Sequence, residues 1–472
     1  MLFTDFPLDE RLLKAVDALG FSQPTPVQQA SLQASTGEAS TRPDLLVSSQ
    51  TGSGKTVAFL LPMIQAILEA QADQDAGSAE GGKAGGKKGW AQSRDRRWVM
   101  PKPVAVVLCP TRELALQVAR DAIGLVKFCR GVRISTVIGG TPYRAQMESL
   151  QGATLVVATP GRLLDLARNS QLGLDDVRCL TLDEADRMLD LGFAEDLAAI
   201  HELTQKRQQT WMFSATLAPR IQQLAKRVMR DHGAHVQSIE MAATAEPHAD
   251  IRQVLHWCDD AQHKRALLDH WMRDSTIDQA IIFVNTQVEC DQIADEVRAH
   301  GFYASALHGA MNQSVRNRRL ASLREGHIQF LVATDVAARG IDVPTITHVF
   351  NFGLPMKAED YTHRIGRTGR AGRSGTAVTF AEGRDRRRLF DIEHHQQQKI
   401  PAETIAGLEP KQAMPFPTKK PGRKPGYKPG SGHNKSGYKA RTGNHTGHTV
   451  HPGRGQGPKP FSERRQGPKS RG

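Results

Sequence analysis

Two short segments of the sequence carry side chains that suit phosphate chemistry. The first, SSQTGSGKT at 48–56, follows an apolar run and precedes a stretch with helical character. In such a strand–loop–helix unit, backbone N–H groups and the helix N-terminus face a phosphate. Lys55 can then reach the terminal phosphates, and the Thr56 hydroxyl can ligate Mg²⁺. The strict pattern has glycine where this chain has Ser49, so the segment predicts a phosphate-binding loop with one departure.

The second segment, VRCLTLDEADRMLD, places two acids at the end of an apolar strand. Asp183 occupies the position expected for a carboxylate that holds Mg²⁺, here through water. Glu184 follows at once, and a second acid beside the metal can orient and deprotonate an attacking water. Two adjacent acids alone usually form a solvated pair. The buried strand and the separate phosphate loop favour a catalytic site instead.

The elements that must position these groups are short apolar strands alternating with amphipathic helices. The predicted strands are DLLVSS, VAVVLCP, ISTVIGG, TLVVATP, VRCLTLD and QTWMFSAT, then QAIIFVNT, FYASALHG, IQFLVATD, THVFNFG and GTAVTF. Unbroken Val, Ile and Leu runs followed by loops and helices predict parallel sheets covered on both faces. Two such blocks predict two α/β domains. Ligands bind such sheets at the carboxyl ends of the strands, where both segments lie.

Composition limits the class of protein. The chain has 472 residues, a net charge of +13 and five dispersed cysteines. No apolar run approaches the roughly 18 residues needed to cross a bilayer, and the N-terminus lacks the features of a signal peptide. We therefore expect a cytoplasmic protein with reduced thiols, no membrane partner and no disulfide or zinc framework.

Changes in composition predict the boundaries of the chain's parts. They are a first domain at 1–237 with a flexible insertion at about 71–100, a linker at 238–250, a second domain at 251–395 and a basic, mostly disordered tail at 396–472. From Lys411 onward the sequence has fifteen Lys and Arg residues and a single acid. This segment therefore carries all of the chain's positive net charge. Such a tail, with Tyr427, Tyr438 and Phe461, suits RNA tethering by charge and stacking. A solubilising tail and a protein-binding site are the alternatives.

The motifs taken together resemble those of the DEAD-box ATP-dependent RNA helicases. The signature is spelled by Asp183-Glu184-Ala185-Asp186, and the loop at 48–56 resembles motif I, where the family commonly has alanine or serine for the first glycine. Further matches, in chain order, are GFSQPTPVQ within a Q motif at 1–29, PTRELALQ, Gly139-Gly140, TPGR, SAT, IIFVNT, QSVR, ATDVAARGID and HRIGRTGRAG. The resemblance covers residues 1 to about 390. It implies two tandem RecA-like domains, and it leaves out the insertion and the tail.

The resemblance implies ATP as the nucleotide and Mg²⁺ as its metal. The amide of Gln28 suits the N6/N7 edge of adenine, and Phe21 is placed to stack on the ring. The implied ATP-binding residues are Phe21, Gln28, Ser49, Gln50, Thr51, Gly52, Ser53, Gly54, Lys55, Thr56 and Asp342, the last on the ribose. The implied metal ligands are Thr56 and Asp183.

The resemblance also implies that catalysis needs both domains. Arg367 and Arg370 are expected to act as arginine fingers that meet the γ-phosphate across the interface. His363 is expected to bridge to the segment Ser214-Ala215-Thr216, which with Asp186 couples the nucleotide state to the RNA. The implied catalytic residues are Lys55, Asp183, Glu184, His363, Arg367 and Arg370.

The implied RNA contacts suit a nucleic-acid backbone rather than bases. They are Arg112, Gly140, Thr159 and Arg162 in the first domain and His308, Gly309, Arg316 and Thr334 in the second. We therefore predict an RNA-stimulated ATPase that locally unwinds RNA duplexes by domain closure, with ribosomal precursors or RNA-degradation complexes as partners. The alternatives are an ATP-gated RNA clamp or assembly platform with little unwinding, and a DNA translocase.

Overall fold

The computed structural model describes residues 1–35, 37, 42–49, 53–80, 99–241, 250–338, 341, 343, 345–369 and 373–411, with the backbone alone for 74–80. These residues form two parallel β-sheets with flanking helices. Each sheet has helices on both faces because successive residues of its central strands point to opposite faces and are apolar on both. In the first sheet, Leu45 and Val47 pack into one apolar core and Leu46 into another. In the second, Ile282 and Phe283 likewise enter different cores, so helices cover both faces of each sheet.

The first sheet has the strand order β3-β4-β2-β5-β6-β1-β7. Its strands are β1 (Asp44–Ser48), β2 (Ala105–Leu108), β3 (Ile134–Val137), β4 (Leu155–Ala158), β5 (Cys179–Leu182), β6 (Gln209–Ser214) and β7 (Val236–Glu240). Its helices are α1 (Glu10–Ala18), α2 (Pro26–Ala34), α3 (Lys55–Glu80), α4 (Arg112–Leu125), α5 (Tyr143–Leu150), α6 (Pro160–Arg168), α7 (Ala185–Asp190), α8 (Ala194–Leu203) and α9 (Pro219–Val228). Because β5, β6 and β1 are neighbours, the residues after them converge on one edge.

The second sheet has the order β10-β11-β9-β12-β13-β8. Its strands are β8 (Ile251–Cys258), β9 (Gln279–Val284), β10 (Ala304–Leu307), β11 (Phe330–Thr334), β12 (Ile346–Asn351) and β13 (Gly375–Glu382). Its helices are α10 (Ala261–Met272), α11 (Gln287–Ala299), α12 (Gln313–Arg324), α13 (Asp335–Ala338), α14 (Ala358–Ile365) and α15 (Arg386–Gln396). The predicted fold class, two parallel-sheet α/β domains, is confirmed.

The sequence prediction lacks the two strands that border the interdomain segment. β7 and β8 are edge strands, each paired with one neighbour, β1 and β13 respectively. Both carry polar residues, as in VQSIE and IRQVLHWC, because an edge strand is only partly buried. The predicted linker is therefore wrong over Ser238–Glu240, which belongs to β7. Residues 242–249 lie outside the described part of the chain.

The predicted flexible insertion also begins too early. Helix α3 continues to Glu80, so the first ten residues of the range 71–100 are helical. The segment EAQADQDAGSAE is rich in Ala, Glu and Gln, which favour a helix even without apolar periodicity. The remainder, residues 81–98, lies outside the described residues.

The first residues of the predicted disordered tail pack against the second domain. We call residues 400–411 the C-terminal strap. Leu255 in β8 donates to the carbonyl of Pro401, and Glu403 donates back to the carbonyl of Leu255. Ile400 is buried, and Lys411 donates its backbone N–H to Asp259. The strap thus covers the free edge of β8, while residues 412–472 lie outside the described part. Among the described helices, none combines the length and apolar character that a bilayer crossing requires.

Candidate functional site

The phosphate loop connects β1 to α3 at the carboxyl edge of the first sheet. Lys55, the first residue of α3, donates from Nζ to the carbonyl of Ser49 at 2.8 Å. Gly54 has φ of +90°, a left-handed conformation that favours glycine. The Ser53 hydroxyl donates a hydrogen bond to the Ser49 hydroxyl at 3.2 Å. Thr56 follows Lys55 in the first turn of α3. The predicted residues Gln50, Thr51 and Gly52 lie outside the described residues.

The Q-motif residues are bonded directly to this loop. Gln28 accepts from the backbone N–H of Thr25 at 3.0 Å and donates to the carbonyl of Gly54 at 3.1 Å. The Thr25 hydroxyl donates to the carbonyl of Ser53 at 2.8 Å. Phe21 is 41% exposed, an unusual state for phenylalanine that leaves its ring available for stacking. These contacts make the Q motif and the phosphate loop one unit.

The acidic pair lies immediately after β5, beside the phosphate loop. Asp183 is buried, and its Oδ1 has no hydrogen-bond partner among the described residues. Burial and the neighbouring Glu184 raise the pKa of Asp183 to about 7. Glu184 has φ of +54°, a strained conformation for a residue other than glycine. Burial opposes its ionisation, but Arg187, Arg367 and Lys55 hold the pKa of Glu184 below its usual range.

These residues fit a magnesium nucleotide. A buried carboxyl oxygen without a partner, whose ionisation is opposed by desolvation and by an adjacent acid, is a site that a cation would stabilise. Within the described chain, no cluster of three or more His, Cys, Asp or Glu could hold a metal ion by itself. Mg²⁺ commonly binds through one or two protein ligands together with substrate phosphates and water. The pair Thr56 and Asp183 matches that requirement.

The predicted coupling segment begins at Ser214, the last residue of β6, and β6 lies between β1 and β5 in the sheet. Ser214 pairs in register with Ser48, whose hydroxyl donates to the carbonyl of Ala215 at 3.3 Å. The N–H of Thr216 donates to the Ser214 hydroxyl at 3.4 Å. Asp186 is buried in α7, and burial together with Glu184 raises its pKa. The structure therefore brings the coupling segment to the same sheet edge as the phosphate loop and the acidic pair.

The second domain presents part of α14 and the turn after it to the acidic pair. His363, Arg364 and Arg367 line a small cleft together with Arg187 of the first domain. Arg367 is buried and donates to the carbonyls of His363 at 3.1 Å and Ile341 at 2.8 Å. Its charge reaches Glu184 across the interface. The predicted residues Arg370 and Asp342 lie outside the described part.

The predicted RNA contacts from both domains meet in a second cleft of about 550 Å³. Its lining includes Arg112, Thr159, Arg162, Gly309 and Arg316. Arg112 donates to the side chain of Gln313 in the other domain at 2.9 Å. The cleft is therefore a composite of the two domains, as a clamp on a nucleic-acid backbone requires.

The three other predicted RNA contacts lie beside this cleft. A methyl group at Gly140, where φ is +84°, would come within 2.7 Å of the Arg112 guanidinium. The carbonyl of His308 accepts from Arg316 at 3.4 Å. Thr334 ends β11, two residues before Val336 in the cleft lining. The residues predicted to contact RNA thus lie in or beside one cleft.

Three charged residues of these sites have no role in the sequence prediction. Glu113 forms an ion pair with Arg316 across the domains at 2.7 Å. Arg187 forms one with Glu184 at 2.8 Å. Arg364 holds Asp335 through two bonds of 2.6 and 2.7 Å and lies over the Phe283 ring. All three belong to motifs already quoted, so the sequence could have marked them as candidates by their position. Their partners are known only from the fold.

Comparisons with known proteins identify related sequences and structures. The DEAD/DEAH box helicase profile matches residues 25–224, and the helicase conserved C-terminal domain profile matches 263–372. The ATP-dependent RNA helicase SrmB of Haemophilus influenzae is 36% identical, over 88% of this chain and 87% of that protein. The helicase DeaD of the same organism is 40% identical over 84% of this chain, which spans only 59% of that relative's length.

Two solved structures share both domains. S. cerevisiae Dbp5 bound to RNA and ADP BeF3 is 27% identical with a TM-score of 0.70, covering 86% of this chain and 95% of that one. Mss116p bound to ssRNA and AMP-PNP is 27% identical with a TM-score of 0.72, covering 85% and 78%. Two domain profiles, relatives above 30% identity over most of the chain and a shared two-domain fold lead to one conclusion. The chain belongs to the DEAD-box family of ATP-dependent RNA helicases.

Proposed function

We propose that this chain hydrolyses ATP when RNA brings its two domains together, and that closure locally unwinds RNA duplexes. One observation carries the proposal. Arg187 of the first domain, which is paired with Glu184, lines one cleft with Arg367 of the second, and the charge of Arg367 lowers the pKa of Glu184. A reaction centre divided between two domains works only when both ligands favour the closed form.

In this proposal the first domain binds the nucleotide. Gln28 reads the adenine edge, Phe21 stacks on the ring, and Lys55 leaves the carbonyl of Ser49 to contact the phosphates. Mg²⁺ held by Thr56 and, through water, by Asp183 would neutralise charge on the phosphates. Glu184 accepts a proton from the attacking water, a role that suits a carboxylate held ionised by nearby cations.

The second domain supplies charge stabilisation and half of the RNA cleft. Arg367 and Arg370 face the γ-phosphate in the closed form, and Asp342 contacts the ribose. His363 and the segment Ser214-Ala215-Thr216, with Asp186, transmit the phosphate state to the RNA cleft. RNA bound across the arginines of both domains favours the same closure, so the two ligands help each other.

We further propose that the chain acts in the cytoplasm on ribosomal precursors or RNA-degradation complexes. Its five cysteines are buried free thiols, which fits a reducing compartment. Its similarity to bacterial helicases motivates the choice of substrate. Co-sedimentation of the full chain with ribosomal precursors, compared with mature ribosomes, tests the first of these partners.

The deciding experiment measures ATP hydrolysis and strand displacement side by side. We expect RNA, and not DNA, to stimulate hydrolysis by the full chain. Glu184→Gln should lose hydrolysis and still bind ATP, whereas Lys55→Ala should lose both. Hydrolysis with no displacement of a short RNA duplex would favour the ATP-gated clamp. Normal turnover by Glu184→Gln would remove Glu184 as the base.

A further inference from the structure

A further group of charged residues joins the two domains close to the reaction centre. Asp190, the last residue of α7, accepts at Oδ1 from Nζ of Lys357 at 2.6 Å and from Nη1 of Arg220 at 2.8 Å. Asp190 and Arg220 belong to the first domain, whereas Lys357 belongs to the second. Lys357 and Asp190 therefore form an ion pair across the interface, and this pair has no role in the proposed mechanism.

Arg220 orients Asp190 for this contact. Arg220 lies in the first turn of α9, and its bond to Asp190 stays within the first domain. The Asp190 side chain is only 14% exposed, against 45% for Lys357. A carboxylate that is mostly buried and already bonded has little freedom left to lose when a second cation arrives. Lys357 thus meets an acceptor whose orientation is fixed by its own domain.

The pair lies at the opposite end of the two helices that flank the reaction centre. Glu184 is the N-cap of α7, and Asp190 ends that helix. Lys357 is the N-cap of α14, and Arg367 follows the end of that helix by two residues. The charge of Arg367 acts on Glu184, and Lys357 bonds Asp190. The helices α7 and α14 therefore interact near both of their ends.

Helix α14 is fixed within its own domain. The Tyr361 ring is buried, and its hydroxyl donates to Oε1 of Gln253 at 3.1 Å and is bonded to the Thr379 hydroxyl at 3.1 Å. The eight residues of α14 span about 12 Å. Because the helix is held rigidly, a contact at Lys357 determines where the other end, and with it Arg367, lies relative to the first domain.

We propose that Lys357 is a positioning residue, whose bond to Asp190 sets the angle between the domains in the closed form and so places Arg367 against the reacting phosphate. The inference rests on the proposed function. A cation stabilises a transition state only from the correct position, and a displacement of about 1 Å is costly in rate. Lys357 thus acts on the reaction through Arg367 and not by touching the nucleotide.

The test is a double-mutant cycle on RNA-stimulated ATP hydrolysis by the full chain, at saturating RNA and ATP. Lys357→Met removes the cation and keeps the aliphatic stem, and Asp190→Asn removes the charge of the acceptor. We expect each variant to lower kcat by about two- to fivefold, the range for a partly exposed ion pair, with the KM for ATP unchanged. The double variant should be little slower than Asp190→Asn alone, because both changes remove the same bond.

A charge reversal gives a readout that a purely structural role would not move. Lys357→Glu places a like charge beside Asp190, so it should lower kcat more than Lys357→Met does. Adding Asp190→Asn to Lys357→Glu should then raise kcat, since it removes one of the two charges that repel each other. Lys357→Arg keeps the cation and should retain most of the wild-type kcat.

The matched control is Lys102→Met. The Lys102 side chain is 42% exposed, close to the value for Lys357, and it pairs with Asp176 of the same domain at 3.4 Å. Because this pair does not cross the interface, its loss should leave kcat unchanged. Thermal unfolding of Lys102→Met and Lys357→Met should match that of the wild-type chain, since partly exposed pairs contribute little to stability.

A second readout detects the contact without measuring activity. Asp190→Cys together with Lys357→Cys introduces two thiols across the interface, and the five native cysteines are buried. A short bis-maleimide should join the two positions in the presence of single-stranded RNA and a non-hydrolysable ATP analogue, and much less without them.

Three results overturn the proposal: an unchanged kcat in Lys357→Met, no recovery when Asp190→Asn is added to Lys357→Glu, or equal cross-linking with and without the ligands. Failure of the wild-type chain to hydrolyse ATP with RNA would instead remove the proposed function. The cross-link would still report whether ligands bring Lys357 and Asp190 together, so the two failures are distinguishable.

Discussion

Oε1 of Glu113 lies 2.7 Å from Nη2 and 3.0 Å from Nε of Arg316, joining α4 of the first domain to α12 of the second. Both side chains are nearly buried, with 5% and 9% of their surface exposed. Gln313 donates to the same oxygen at 3.2 Å. A buried pair of this kind is costly to break by removing one partner. The second cleft, which residues of both domains line, therefore contains contacts that exist only when the domains meet.

Glu113→Ala should weaken RNA binding by about tenfold with a non-hydrolysable ATP analogue, a typical size for coupling between sites. Without nucleotide the affinity should change little, because the pair forms only in the closed arrangement. Fluorescence anisotropy of a labelled single-stranded RNA measures both values.

The control for Glu113 is Glu148→Ala, which breaks an exposed pair with Arg144. Such surface pairs contribute little, so RNA affinity should stay the same. If Glu113→Ala weakened RNA binding equally with and without nucleotide, Glu113 would act on RNA binding directly and not on closure.

Gly54→Ala should raise the KM for ATP at least about tenfold, since the left-handed conformation alone costs roughly 1–2 kcal/mol with a side chain. A methyl group there would also lie 2.5 Å from Nε2 of Gln28. Steady-state hydrolysis at saturating RNA measures the KM. The control is Gly124→Ala in α4, where the nearest atom is at 3.5 Å. It should leave the KM unchanged and gain up to about 1 kcal/mol of stability. An unaltered KM for Gly54→Ala would contradict the tight Gln28–Gly54 contact.

The central strands were predictable because unbroken apolar runs have one stable arrangement, a parallel sheet covered on both faces. The edge strands β7 and β8 were not, because their alternating polar residues resemble those of loops. The C-terminal strap was not predictable either. Its binding depends on the free edge of β8 rather than on its own composition.

The convergence of the residues proposed to contact substrate was predictable from spacing, but the roles of their charged neighbours were not. Lys55, Asp183 and Glu184 converge because β1, β6 and β5 are adjacent and end at one edge. Arg187 and Glu113 belong to segments that the sequence singles out, yet the role of a buried charge depends on its partner. The partner of Glu113, Arg316, comes from the other domain, and the partner of Arg187 is the neighbouring Glu184. No periodic pattern in the sequence indicates which charged residues pair with each other.

We expect His256 to make the second domain sensitive to acid. Its Nδ1 lies 2.8 Å from the carbonyl of Glu403, and its Nε2 accepts from Trp271 at 2.9 Å. The ring is therefore neutral, and burial lowers its pKa below the ordinary 6.5. Below pH 6.5, His256 binds a proton in the unfolded chain but not in the folded chain. The free energy of unfolding therefore falls as the pH falls, by up to about 1.4 kcal/mol per pH unit.

Urea unfolding at pH 7.5 and 5.5 measures this loss. His256→Gln has no ring to protonate, so it should lose less stability than the wild-type chain between the two values. His327→Gln changes an exposed ring and should follow the wild type. Equal losses for His256→Gln and wild type would assign the acid sensitivity to other groups.

Two truncations separate the strap from the tail. A chain ending at Lys411 keeps every strap contact, so its thermal unfolding should match that of the full chain. Because it lacks 14 of the fifteen Lys and Arg counted from Lys411 onward, it should reach the same maximal ATPase rate but need more RNA. In the predicted tethering role the tail raises only the local concentration of RNA, so the maximal rate should depend on the domains alone.

A chain ending at Lys399 should instead be destabilised. It loses the buried Ile400, the two backbone bonds to Leu255 and the carbonyl that fixes His256. Burial of one isoleucine contributes about 1.5–3 kcal/mol, and each hydrogen bond adds about 1 kcal/mol. The longer truncation should therefore melt lower, and it should lose part of the acid sensitivity that His256 confers, because removing the strap reduces the burial that lowers the pKa of His256. Identical melting of the two truncated chains would show that the strap contributes nothing to the second domain, and the shielding of the β8 edge would then fall to another part of the chain.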